Sequence, residues 1–202
     1  TTGDNNVAIG FQSLRESEGA DNNTAVGQET LKANTTGNLN QAFGAFSLQA
    51  NTEGVRNTAI GSYTMYDNTT GDYNVAVGQS ALYNNETADN NTAVGYLAMN
   101  ANTTGAANVA VGANAADAVT TGSNNTALGF EAAGKLTTGG DNTAVGRKAL
   151  LDTTTQSGNV AIGVEALENN TADENVAIGT QALNANSSGS GHTAVGPSAA
   201  KA

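Results

Sequence analysis

Glycine returns at a fixed interval of seventeen residues, at Gly10, Gly27, Gly44, Gly61, Gly78, Gly95, Gly112, Gly129, Gly146 and Gly163. Gly179 arrives one residue early, and Gly196 resumes the interval. Twelve copies of one short unit therefore fill the 202 residues, and no stretch is left for an ordinary domain beside them. A period this short means an array whose units stack, because one unit alone cannot bury its apolar face. The chain is expected to be a single array over 1–202. It opens and stops in mid-repeat, as a segment of a longer fibre or an end-to-end polymer would.

Aligned on that glycine, the columns are nearly invariant. Two residues before it stands Ala in every copy, including Ala8, Ala25 and Ala42; immediately before it stands a larger apolar residue, from Ile9 and Val26 to Val195. Four before it is Asn in eleven copies: Asn6, Asn23, Asn40, Asn57, Asn74, Asn91, Asn108, Asn125, Asn142, Asn159 and Asn175, with His192 in the last. Three after the glycine the residue is always small, and four after it is Leu, Met or Ala. Asn-Thr-Thr-Gly turns, as at 34–37, 68–71 and 102–105, complete the unit.

Each unit reads as strand, tight bend, strand, turn. β-Branched residues before the glycine favour extended backbone, and glycine supplies a conformation or a close approach that a Cβ forbids. Seventeen residues are too few for two helices, and nothing recurs at helical spacing. The expected fold is all-β: a parallel β-solenoid of about twelve coils. Coils stack at about 4.8 Å, so each column becomes a ladder and the rod is about 55 Å long. The Ala25–Ala42 and Gly27–Gly44 steps mark close approach. The Asn ladder is expected at a corner, with its amides bonding to the coils on either side. Glu131, Lys148 and Glu165 share one column, as do Tyr66 and Tyr83, so each set is expected to stack.

Composition closes off several functions. Only 4% of residues are aromatic, which suits a narrow core. A net charge of −11 argues against nucleic-acid binding. There is no Cys and one His, so a zinc site is excluded. No apolar run is long enough to insert in a membrane as a helix. Successive strand residues point to opposite sides. If Ala lines the interior, the larger aliphatics form an outward stripe, which normally marks an interface. Several chains are expected to pack about one axis, three being the natural number for a slender fibre.

The phrases Asn-Val-Ala-Ile-Gly (6–10, 159–163, 175–179) and Asn-Thr-Ala-Val-Gly (23–27, 91–95, 142–146) resemble the head repeats of trimeric autotransporter adhesins and the repeat arrays of bacteriophage tail fibres. The resemblance covers essentially the whole chain. It implies a left-handed parallel β-roll, a side-by-side trimer and exposure on a cell or virion surface. It also implies that Ala8, Ile9, Ala25, Val26 and their equivalents fill the roll and the seam between chains. The unit here is longer than the adhesin repeat, extended by the Asn-Thr-Thr-Gly turn. Coiled-coil heptads, a membrane anchor and a chaperone segment are not seen.

No catalytic, cofactor or metal constellation is found. His192 sits in the Asn column, and Asp72, Asp89 and Asp141 lie in turns without calcium-loop spacing. The Asn-x-Thr/Ser triplets at Asn22, Asn34, Asn68, Asn85, Asn90, Asn102, Asn124, Asn169 and Asn186 follow from the consensus. Tyr63, Tyr66, Tyr73, Tyr83 and Tyr96 fall within three consecutive coils and are candidate contacts for a host-surface glycan or protein. Paired threonines, including Thr35/Thr36, Thr69/Thr70 and Thr103/Thr104, suggest an ice-binding face as an alternative. A self-assembling extracellular filament subunit is the other. The leading expectation is a non-enzymatic surface-fibre module that presents an adhesive surface.

Overall fold

The computed structural model describes residues 3–200. Its regular structure is twelve three-residue strands: β1 Val7–Ile9, β2 Thr24–Val26, β3 Gln41–Phe43, β4 Thr58–Ile60, β5 Val75–Val77, β6 Thr92–Val94, β7 Val109–Val111, β8 Thr126–Leu128, β9 Thr143–Val145, β10 Val160–Ile162, β11 Val176–Ile178 and β12 Thr193–Val195. They form one parallel sheet in chain order, each strand pairing with the next. Every Ala–Ala step is in register, Ala25 pairing with Ala8 on one side and Ala42 on the other. The molecule is an all-β parallel solenoid of eleven turns, with no helix among the described residues.

The backbone explains why the unit survives with so little strand. Beyond the sheet, axial hydrogen bonds continue: Glu29 N–H donates to the Phe11 carbonyl at 2.8 Å, and Leu31 N–H to the Ser47 carbonyl at 3.0 Å. The second strand expected after the glycine does not form. Residues two and four places after the glycine are left-handed, as at Glu29 (φ 52°) and Leu31 (φ 50°), so this side is a run of turns. A left-handed residue cannot continue a strand. Its alternation with right-handed residues bends the chain while N–H groups still point along the rod. At the glycine itself φ lies between 125° and 142°. A Cβ on Gly78 would also stand 2.5 Å from the Gly95 carbonyl oxygen, so both conformation and space require glycine.

The core is one residue wide. Ala25 to Ala177 in the strand column are fully buried, and the residue four places after each glycine packs against them, from Leu31 and Leu48 to Leu167. Ala116 and Ala133 replace Leu in that column, and in the same two turns buried Val119 and Leu136 occupy a position that holds Asn in most others. Side-chain volume has moved three residues along the chain, so the interior stays filled. The one-residue deletion before Gly179 leaves the sheet intact: Val160 pairs with Val176. It is absorbed at the outer corner, where Thr171 alone separates Asn170 from Ala172, against the two residues between Asn34 and Gly37.

Candidate functional site

Two asparagine ladders run through the interior. In the first, Asn23 to Asn175, four places before each glycine, are buried. The Asn91 Oδ1 accepts the Asn108 N–H at 2.9 Å, and its Nδ2 donates to the Gly105 carbonyl at 2.9 Å. Both bonds reach the following turn, while the Asn91 N–H bonds back to the Asn74 Oδ1. The link to the preceding turn is thus mainly backbone to side chain. A bifurcated amide bond adds to it at Asn74, Asn125, Asn142 and Asn159. A corner that lacks strand pairing thereby satisfies its backbone without water.

The second ladder was not legible as such. Asn34, Asn51, Asn68, Asn85 and Asn102 begin the Asn-Thr-Thr-Gly turns, yet each is fully buried. From Asn51 onward each Nδ2 donates to the Oδ1 one turn earlier, at 2.7 Å for Asn51 to Asn34 and 2.9 Å for Asn102 to Asn85, while the Asn34 Nδ2 bonds to the Gly37 carbonyl. Val119 ends the run and leaves the Asn102 Oδ1 buried without a partner. The signal was present in the alignment: Asn at this column yields to Val or Leu in the two turns where the Leu column yields to Ala.

The tyrosines separate into three places. Tyr66 and Tyr83 stack, with centroids 5.0 Å apart and planes at 12°. Phe46, not singled out from the sequence, stacks on Tyr63 at 4.9 Å and 17°. Tyr63 lies 5.9 Å from Tyr66 and 6.4 Å from Tyr83, which joins the two stacks into a slab of four rings. Tyr73 is elsewhere, with its hydroxyl accepting from Arg56 at 2.6 Å and the guanidinium 5.4 Å over its ring. Tyr96 stands exposed beside its glycine. Burial, then the Asp67 carboxylate, pushes the Tyr83 phenol above its usual range. Burial, then Glu86, raises the Asp67 carboxyl in turn.

Charged columns behave partly as expected. Lys148 pairs with Glu131 at 3.7 Å, whereas Glu165 pairs with Arg147 and also accepts from Gln181. The threonine pairs use their first hydroxyl internally: Thr35, Thr103 and Thr120 donate to carbonyls of the next turn at 3.0 to 3.2 Å. Their second members, including Thr104 and Thr121, remain exposed. His192 donates its backbone N–H to the Asn175 Oδ1, so it continues the first ladder. Among the described residues, no three His, Cys, Asp or Glu are grouped to hold a metal ion.

The outer face of the sheet carries two parallel columns. One is the apolar residue before each glycine, with Phe43, Ile60, Val111, Leu128, Ile162 and Ile178 all more than a third exposed. The other alternates mainly between Val and Thr, from Val7 to Thr193. Neither column contains a charged residue. Comparison with protein-family models, curated proteins and solved structures finds no match for this chain.

Proposed function

We propose that the chain is a structural module of an extracellular surface fibre, which extends the fibre and presents side chains for adhesion. The observation that carries this reading is the uncharged outer face of the sheet, on which the column before the glycine is apolar in every turn and runs continuously over about 55 Å. Monomeric proteins rarely expose an apolar surface of that extent. A rod one strand thick also has no interior in which to hide it. Side-by-side association of three chains would cover the face, in line with the trimer that the repeat phrases imply. The residues forming the seam would be Ile9, Val26, Phe43, Ile60 and their equivalents.

The reading also fits the architecture mechanically. Force along the rod would load backbone bonds and two asparagine ladders turn after turn, as a shaft requires. Light scattering coupled to size exclusion tests the association. A trimer gives about 60 kDa, three times the 20.1 kDa chain. A concentration-independent mass of one chain would contradict the seam. Growth into long filaments would favour a polymer subunit instead. Replacing Ile60 and Val111 by Asp is expected to shift the trimer to monomer while leaving the far-ultraviolet circular dichroism unchanged.

A further inference from the structure

From the aromatic slab and its carboxylates we infer a binding patch for a cationic protein segment, one that presents lysine side chains. The inference rests on the reading of the rod as a presenting scaffold, and it names what one face presents to. Four of the chain's nine aromatic residues, Phe46, Tyr63, Tyr66 and Tyr83, gather on consecutive turns of that face. The slab does more than fill core. Tyr63 is 39% exposed, and the other two tyrosines are half-buried.

Three observations select the chemistry of the partner. First, the rings stack face to face in pairs, so most ring faces are already covered. The flat platform on which a neutral sugar would stack is largely taken up. Second, the hydroxyls of Tyr63, Tyr66 and Tyr83 have no hydrogen-bond partner among the described residues. They are not buried orphans either, which leaves them as acceptors open to solvent. Third, the Asp67 N–H donates to the Tyr83 carbonyl at 3.0 Å and the Thr69 N–H to the Glu86 carbonyl at 2.8 Å, which sets both acidic residues on the turns that carry the slab, and neither carboxylate has an ion-pair partner among the described residues.

Some carboxylates of the rod are matched, as Glu29 by Lys32 and Asp152 by Lys135, and many others have no ion-pair partner among the described residues; what sets Asp67 and Glu86 apart is the aromatic slab on the same turns. Here two like charges sit uncompensated next to polarisable rings and oxygen acceptors. An ammonium group relieves the repulsion, donates to the free oxygens and gains from the ring edges that remain open to its methylene stem. The chain already uses cation-on-ring contact at Arg56 and Tyr73.

The test uses the whole chain and an acetylated octalysine peptide, with binding read by calorimetry at physiological salt. Because the net charge is −11, unspecific attraction must be separated from the patch. Two neutralised variants change the charge equally: Asp67→Asn with Glu86→Gln in the patch, and Asp141→Asn with Glu174→Gln on another face. The patch pair is expected to weaken binding about tenfold, and the remote pair less than about twofold. Tyr66→Phe with Tyr83→Phe keeps the stack and removes two acceptors; it is expected to weaken binding about threefold. Circular dichroism and solution mass, measured on every variant, keep this outcome separate from failure of the fibre reading. Equal losses from the two neutralised pairs would overturn the proposal. So would a tyrosine-dependent uptake of neutral oligosaccharides that ignores Asp67 and Glu86.

Discussion

Replacing Asn91 by Ala removes one rung of the first asparagine ladder and leaves the sheet untouched. The rung carries two side-chain bonds, to the Asn108 N–H and to the Gly105 carbonyl, both at 2.9 Å. The two losses are unequal. Gly105 keeps the Asn102 Nδ2 as a donor at 3.0 Å, so its carbonyl stays satisfied. The Asn108 N–H loses its partner in a residue only 1% exposed, where no water reaches it. An orphaned buried donor costs about 1–3 kcal/mol, and the second lost bond about 1 kcal/mol more. The expected destabilisation is therefore about 2–4 kcal/mol, a large share of the roughly 5–15 kcal/mol that holds a typical domain folded. Stacked arrays need not unfold in one step, so the assay pairs urea denaturation with native-state hydrogen exchange. The Asn108 amide is expected to lose most of its protection, while amides of β2 and β11 keep theirs. A variant within about 0.5 kcal/mol of the parent, with Asn108 still protected, would refute the assignment of this ladder as a structural necessity.

Two further predictions follow from the glycine columns and from the titrating carboxylates. Gly78→Ala meets both a φ of 128° and the Gly95 carbonyl, so a loss of more than about 2 kcal/mol is expected by thermal or urea unfolding. Gly71→Ala would also set a Cβ 2.5 Å from the Ala88 carbonyl oxygen, yet it is expected to cost less, because its backbone is not left-handed and the same column already accommodates Ala20, Ala88 and Ala172. Equal costs would contradict the distinction. For Asp67, burial and Glu86 raise the folded pKa above the unfolded value. The fold then binds the proton more strongly than the unfolded chain does. The associated stability is complete below the unfolded pKa and is lost as pH rises through the folded one. Asp67→Asn is accordingly expected to raise the unfolding midpoint near neutral pH and to give no gain near pH 3. A gain at both would contradict the sign.

Legibility in the sequence followed physical uniqueness. The Ala and Gly columns were readable because each answers to one constraint, a fully buried site with room for no larger side chain or a forbidden Cβ. The solenoid and its register followed from them. The second strand was misread because the small and Leu columns after the glycine look like strand residues, whereas the structure holds Leu31 and its equivalents in left-handed turns. No local propensity announces that, since left-handed Leu is disfavoured and persists only because the stacked turns over-determine it. The buried asparagines from Asn34 to Asn102 were read as turn residues for a related reason. Asn favours turns, and here it is at once a turn residue and a core residue. The Tyr66–Tyr83 stack was readable from shared column position. The part played by Phe46 depends on contact between neighbouring columns, which a column-by-column reading does not see.

The stacking of equivalent residues at a constant rise is the premise beneath all of these arguments, and spin labels measure it directly. The chain has no cysteine, so pairs can be introduced without background. Asn22, Asn90 and Asn124 occupy one exposed column, with four turns between the first two and six between the first and last. At about 4.8 Å per turn, the backbone separations are about 19 Å for Asn22 with Asn90 and about 29 Å for Asn22 with Asn124. Pulsed electron resonance on the Asn22→Cys/Asn90→Cys and Asn22→Cys/Asn124→Cys chains, each assembled with an excess of unlabelled chain so that only pairs within one rod are read, is predicted to give two narrow distributions differing by about 10 Å. Broad distributions, or a separation that does not grow with the number of turns, would contradict the solenoid itself.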